Sequence, residues 1–283
     1  MVRGLYTGAS GMNARLSQMD VVANNLANVN TPSYKEDLAL FKAFPEMLLQ
    51  RQDDDGVIKF PLGSIDKRPV VGRLGTGVEV NEVYTQFTQG NLQQTENAFD
   101  LALDGPGFFA IQTPEGERYT RNGSFTVDRS GILMTKDGFP VLGENGVLHV
   151  KHNNLVISER GEVVVNQRFQ EPPGRPVQMS ENAFDQGEKI DRLKIVQFPR
   201  ERYLQKVGSS LYRDTEPTGG PQAAAGEKAP KVQQGFLESS NVNVVREMVH
   251  MIEVQRSYEA SQKAVTTHDG ALDKLINQMA VVG

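Results

Sequence analysis

The chain has no cysteine among its 283 residues, which excludes disulfides, thiolate metal sites and a thiol nucleophile. It also lacks an apolar run long enough to cross a bilayer. Its formal charge of -5 comes without any cluster of Lys and Arg, and this argues against a nucleic-acid partner, because phosphate binding needs basic residues concentrated on one face. The amino terminus, MVRGLYTGASGM, has no continuous apolar segment of the secretory kind. The chain is therefore expected to stay in the cytoplasm or to leave by a route that needs no cleaved signal.

Catalytic patterns are missing as well. There is no GxSxG, and Gly72, Gly75 and Gly77 have neither the GxGxxG spacing nor the lysine-serine pair of a phosphate loop. His149 and His152 are three apart, so on a strand they point to opposite faces. In Asp53, Asp54, Asp55 and Gly56, placing the glycine sixth in a calcium loop makes Arg51 the first ligand, and the pattern fails. Asp100 and Asp104 on one strand would stand roughly 13 Å apart, beyond the roughly 5 to 9.5 Å of a glycosidase pair. No residue set points to catalysis, a cofactor or a metal.

What is present is 38% hydrophobic and 23% charged residues, a composition that supports a folded soluble chain with one large core or two ordinary ones. Leu5, Ala9, Met12, Leu16, Met19, Ala23 and Leu26 alternate four and three apart, a heptad seam on a helix that should end near Asn28 to Thr31, before Pro32. At the other end, from about Asn241, Val244, Met251, Tyr258, Val265, Leu272 and Met279 form one seven-residue series. Met248, Gln255, Gln262, Asp269 and Ile276 form the interleaved one. Between them the period changes to two. Residues 77–87, 99–103, 108–113, 124–127, 132–135, 155–158, 162–165 and 193–198 read as strands, with turn signals at Asn122-Gly123, Ser130-Gly131, Asp137-Gly138 and Arg160-Gly161.

The expected fold is mixed, mainly β: an all-β, hairpin-rich central body with amino- and carboxy-terminal helices paired in a coiled-coil-like layer. Residues 1–35 and 236–283 would form a discontinuous helical assembly domain, 36–90 an extended connection with strands, 91–213 the β-rich body, and 214–235 a linker rich in Pro, Gly and Ala. The stretch at 171–178, EPPGRPVQ, also reads as linker or loop. Residues 42–77 do not declare a structure.

The first helix ends in ANNLANVN, with Asn24, Asn25 and Asn28 outside the seam, and only Arg3, Arg15 and Asp20 are charged in the first thirty residues. Paired amides can be desolvated against another protein at little net cost, whereas an unpartnered charge costs several kcal/mol. Together with a seam at each terminus, this charge depletion points to assembly, with the two seams and these asparagines as the expected interface.

SGMNARLSQMDVVANNLANVNTPSYK, LALDGPGFFAI, YTRNGSFTVD and GFLESSNVNVVREMVHMIEVQRSYEASQKAV resemble the signature segments of flagellar basal-body rod proteins of the FlgF/FlgG family, which also contains hook protein. LYTGASG, Thr31 to Ser33 and YTRNGS are similar to proximal-rod members. LGTG at 74–77 and SNVNVVREMVHMIEVQRSYE are similar to distal-rod members. The resemblance implies a structural rod subunit in the periplasm, favouring the proximal rod, with a distal-rod or hook-type axial subunit as alternative. It implies partners among copies of itself and other rod and axial subunits, export through the flagellar type III apparatus without signal cleavage, and terminal helices inside an outer β-body. A more distant alternative, from the β-body and envelope location alone, is a secreted glycan-acting enzyme. Many relatives carry glycine where this chain has Ser33, so the resemblance also raises the question of a left-handed turn there.

Overall fold

A computed structural model of the chain describes residues 2–50, 57–60, 63–66, 70–150, 155–166, 187–224 and 229–279. The linker reading at 171–178, the acidic run 53–55 and His152 lie outside the described residues. The chain divides into two compact units, one of Met1–Asn24, Leu38–Val83 and Val245–Gly283, the other of Asn25–Asp37 and Tyr84–Val244. The architecture is mixed and mainly β, with one long helix at each end, α1 (Val2–Ala27) and α2 (Val244–Met279).

In the first unit α1 and α2 are accompanied by strands. β1 (Asp37–Ala43) pairs with a later strand, β6 below; β2 (Met47–Gln50), β3 (Val57–Phe60), β4 (Gly63–Asp66) and β5 (Val70–Leu74) make two separate two-stranded ribbons, β2 with β5 and β3 with β4; β6 (Val78–Thr85) returns beside β1. β2 pairs antiparallel with β5, Met47 opposite Leu74, and β3 with β4, Val57 opposite Asp66. These strands account for the described part of residues 42–77, which gave no periodic signal. Met47, Leu48 and Leu49 on β2 and Val70 and Val71 on β5 are all exposed, so no covered face imposes an alternation on the sequence.

The second unit holds the β-body. Its first strands are β7 (Leu92–Gln94), β8 (Leu101–Asp104), β9 (Phe108–Thr113), β10 (Gly116–Thr120), β11 (Phe125–Val127), β12 (Leu133–Thr135), β13 (Leu142–Gly143) and β14 (Gly146–Val147). They continue as β15 (Leu155–Ile157), β16 (Glu162–Asn166), β17 (Gly187–Arg192), β18 (Ile195–Gln197), β19 (Gln205–Gly208), β20 (Leu211–Arg213), β21 (Gln222–Ala223), β22 (Lys231–Gln234) and β23 (Phe236–Glu238). The largest sheet has the order β19-β20-β10-β9-β18-β21, centred on the β9–β10 hairpin.

Phe108, Phe109, Ala110 and Ile111 are all fully buried, because β9 is covered on both faces. The pleat sends alternate side chains to opposite sides. Phe108 and Ala110 join Tyr119, Phe198, Leu204 and Tyr212, while Phe109 joins a larger cluster with Leu101, Phe125, Leu133 and Leu193. Phe108 meets Phe87, Phe198 and Tyr212 edge to face at 5.4, 5.8 and 5.8 Å between centroids, the arrangement favoured by the ring quadrupoles.

Gly131, Gly138 and Gly161 turn the chain with φ of 80, 86 and 77°, at three of the four expected turns. Asn122-Gly123 is not a hairpin turn, since β10 and β11 belong to different sheets. A Cβ on Gly123 would lie 1.6 Å from the Leu101 carbonyl oxygen, so glycine is required there by close backbone approach. Within residues 214–235, read as a linker, β22 pairs along the whole of β8 and buries Val232 in the core.

Candidate assembly surface

Along α1 the buried face is set by small residues. A Cβ on Gly4 would meet His268 Nε2 at 2.9 Å, one on Gly8 would meet Val265 Cγ2 at 2.7 Å, and one on Gly11 would lie 3.7 Å from Ser261 Oγ. The ascending numbers on α1 against descending numbers on α2 describe an antiparallel helix pair. Ala14, Gln18 and Val22 continue the same buried face. Gln18 is satisfied there: Arg15 Nη1 donates to its Oε1 at 2.6 Å, and its Nε2 lies 2.9 Å from His250 Nε2.

The expected seam lies one position further along: Leu5, Ala9, Met12, Leu16, Met19, Ala23 and Leu26 each follow, or nearly follow, a residue of the buried face. One residue is a rotation of about 100°. In the protomer Leu16 is 48% exposed, Ala9 and Ala23 are exposed, and Leu5, Met12, Met19 and Leu26 are half-buried. The size of the side chains explains the offset, because helices approach most closely where residues are small and the larger apolar residues are left to the side.

On α2, Val244, Met251, Tyr258, Val265 and Leu272 are half-buried, while Met248, Gln255, Gln262, Asp269 and Ile276 are exposed. Met279 is the last residue of the helix, and its side chain is outside the described residues. The fully buried positions are Val254 and Glu247, the latter in the first turn, where a carboxylate complements the helix dipole. Among the asparagines, Asn24 is exposed and Asn28 half-buried. Asn25 is enclosed: its Nδ2 donates to the Asp37 carbonyl at 2.9 Å, and its Oδ1 accepts from the Asp37 N–H at 3.0 Å and the Tyr34 hydroxyl at 3.2 Å. This amide closes the turn after α1 within the protomer itself.

Beyond that turn lies a feature that sequence reasoning missed. Ser33 is fully buried with φ 56°, donates its N–H to the Glu238 carbonyl at 2.7 Å and its hydroxyl to the Arg121 carbonyl at 2.8 Å. The left-handed turn therefore forms without glycine. Two residues on, the Lys35 ammonium sits 2.6 Å from Glu238 Oε1 and donates to the Thr88 carbonyl at 2.8 Å, with both charged side chains fully buried. Glu238 Oε1 also accepts from the Gly90 N–H at 2.8 Å, and its Oε2 lies 3.7 Å from Arg121 Nη1. The Arg121 guanidinium stacks over the Phe108 ring at 5.4 Å.

Burial pulls Lys35 below the ordinary lysine range against the opposing pull of Glu238. It likewise lowers Arg121, and it raises the Glu201 carboxyl above its usual value. Lys206 reinforces the segment, donating to the Lys35 carbonyl at 2.7 Å and to Asp37 Oδ2 at 2.8 Å. The available signal was that Lys35, Arg121 and Glu238 each lie in one of the long signature segments, TPSYK, YTRNGS and GFLESSNVN.

The remaining polar candidates show no reactive arrangement. His149 is exposed; Asp100 accepts from Asn97 Nδ2 at 3.1 Å, and Asp104 lies 3.4 Å from Gln233 Nε2. Among the described residues no group of three His, Cys, Asp or Glu is placed to hold a metal ion, and no helix is long and apolar enough to cross a membrane.

In this mainly β chain the two terminal helices pair through small residues and leave larger apolar ones, Leu16, Met248 and Ile252 among them, exposed. Family models agree with the position of these elements. Residues 5–35 match the flagella basal body rod protein family, residues 102–165 the flagellar hook protein FlgE/F/G D1 domain, and residues 233–279 the flagellar basal body rod FlgEFG protein C-terminal family. The chain is 34% identical to the flagellar basal-body rod protein FlgG of Buchnera aphidicola subsp. Schizaphis graminum, over 97% of this chain and 99% of that protein. It is 32% identical to the flagellar hook-basal body complex protein FlhO of Bacillus subtilis, over the whole of both chains, and 32% identical to the flagellar basal-body rod protein FlgF of Caulobacter vibrioides, over 93% and 92%. The chain belongs to the FlgF/FlgG family of flagellar basal-body rod proteins.

Proposed function

We propose that the chain is a structural subunit of the bacterial flagellar basal-body rod, incorporated into a helical assembly through its terminal helices. The observation that carries this reading is the α1–α2 pair. It closes through Gly4, Gly8 and Gly11, so that Leu16 on α1 and Met248 and Ile252 on α2 remain exposed for neighbouring subunits. In this reading the helical ends at 1–35 and 236–283 serve assembly, and the seams and Asn24 and Asn28 contribute its contacts.

The partners are copies of the chain and other rod and axial subunits, reached after export by the flagellar type III apparatus without a cleaved signal peptide. The function is structural and not enzymatic, without nucleic acid or membrane insertion. The likeness of LYTGASG and YTRNGS favours a FlgF-type place in the proximal rod. The 34% identity to FlgG relatives favours a second reading, a FlgG-type distal-rod subunit. Purified hook–basal bodies from cells producing a tagged chain test both. The tag is expected in the rod, in its proximal section for the first reading and its distal section for the second. A tag recovered only in cytoplasm or medium from cells that still build complete rods would overturn the proposal, as would turnover of cell-wall fragments by the purified chain.

A further inference from the structure

Within the first unit, beside the glycine face of α1, the protomer leaves an open groove of about 730 Å³, walled by Gly4 and Gly8 of α1, Met47, Leu74 and Gly75 at the foot of the β2–β5 ribbon, and Ala264 of α2. Among the described residues its lining contains no Asp, Glu, Lys or Arg, its polar members being Thr7, Thr76, Ser261 and His268. Further along α2, Val245, Met248, Val249 and Ile252 are 71, 50, 52 and 51% exposed. They stand at i, i+3, i+4 and i+7, one apolar stripe on a single helix face.

The stripe and the groove cannot meet within one protomer. Ile252 and Ala264 are twelve residues apart on the same helix, about 18 Å at 1.5 Å per residue. The stripe and the groove are complementary in kind, since bulky apolar side chains on one match a recess whose floor is opened by Gly4, Gly8, Gly75 and Ala264 and whose walls include the apolar Met47 and Leu74. A surface that finds its complement elsewhere on an identical molecule makes a heterologous, head-to-tail contact, which builds a ring where the rotation closes and a helical filament where it does not.

The size of the stripe supports the same occupant. Its exposed area is roughly 400 Å², comparable with the largest apolar patch of an ordinary monomer, and about half of the roughly 800 Å² that each partner buries in a stable pairwise complex. One such contact is too small to hold a dimer in solution and becomes effective where each copy makes several at once. We infer that the Val245–Ile252 stripe of one copy docks in the Gly4–Gly8–Ala264 groove of the next. This deepens the rod reading and rests on it.

The absence of native cysteine makes the test direct. Cells producing two forms of the full chain, Ile252→Cys and Ala264→Cys, yield hook–basal bodies that are oxidised briefly and run without reductant. Both positions are exposed, so the protomer should fold normally, and the separation along α2 excludes an intramolecular bridge in the double variant. The inference expects a disulfide between the two forms, exceeding either homodimer at least fivefold, and a ladder of multimers from the double variant. Chain present in the basal body but joined only as 252–252 or 264–264 pairs, or not joined, would overturn the inference and leave the rod reading standing. Chain absent from the basal body would overturn both. As a second variant, Ala264→Leu fills the recess from within and should reduce incorporation at least fivefold, with the circular dichroism of the purified chain unchanged. Normal incorporation of that variant would also overturn the inference.

Discussion

Replacing Glu238 by leucine should be among the most damaging single changes in the β-body. Glu238 Oε1 binds Lys35 at 2.6 Å and the Gly90 N–H at 2.8 Å, and Oε2 faces Arg121 at 3.7 Å. Glu238→Leu leaves two buried cations without their carboxylate. Removing one partner of a buried ion pair costs about 3 to 5 kcal/mol, which for a unit of this size lowers Tm by roughly 6 to 20 °C. Urea unfolding of the purified chain, with an unchanged m value, measures the loss.

The cost should be smaller in the double variant Lys35→Met/Glu238→Leu than the sum of the two singles, by about 1 to 3 kcal/mol, because one stranded charge is then removed. It should also depend on pH. Burial holds the folded pKa of Lys35 below its unfolded value of 10.5, so between those two values the unfolded chain binds more protons and stability rises with pH. Loss of Glu238 lowers the folded value further and widens that window downwards, so the penalty of Glu238→Leu should shrink as pH rises from 7 towards 10. A loss under about 1 kcal/mol, additive with Lys35→Met and flat across that range, would refute the account of the node.

At Ser33, replacement by glycine relieves the left-handed backbone but removes the hydroxyl bond to Arg121. Ser33→Gly should therefore unfold within about 1 kcal/mol of wild type, and Ser33→Ala, which loses the bond and keeps the strain, should be less stable than Ser33→Gly by about 1 kcal/mol or more in urea. Gly8→Ala, with its Cβ 2.7 Å from Val265, should lower the hydrogen-exchange protection of α1. Gly11→Ala, at 3.7 Å from Ser261, should preserve or raise it by helix propensity; equal behaviour of the two would remove the close-approach argument. The folded pKa of Glu201 is raised from 4.5 by burial, so the folded chain binds more protons just above that value and this residue contributes stability as pH falls through its folded pKa. Urea titrations should show that increment in wild type and its absence in Glu201→Gln.

Both helices and most central strands were legible, because periods of seven and two survive wherever one face is covered. The small-residue face on which α1 meets α2 was not, since a heptad scan weights large apolar residues whereas the helix pair closes on Gly4, Gly8 and Gly11. The ribbons at 47–74 were silent for the opposite reason: Leu48 and Val71 are exposed, and nothing within the protomer imposes an alternation. The node of Lys35, Arg121 and Glu238 joins residues 86 and 203 positions from Lys35. No local pattern encodes such a meeting, and each charge reads singly as a solvated surface residue. Asn25 was noticed as unusual for its helix, but its two hydrogen bonds to the Asp37 backbone depend on the path of the chain after Pro32.

The central claim, that the exposed seam of the helix pair builds the rod, is tested most directly by Leu16→Asp. In the protomer Leu16 is half exposed and stands outside the small-residue contact with α2, so a carboxylate there should leave folding and export intact. Packed against a neighbouring subunit it would be an unpaired buried charge, costing several kcal/mol. Quantifying the chain in purified hook–basal bodies and in the exported fraction of the same cells separates the two effects. The account predicts normal export with at least tenfold loss from the basal body and loss of motility. Normal incorporation and swimming would contradict it.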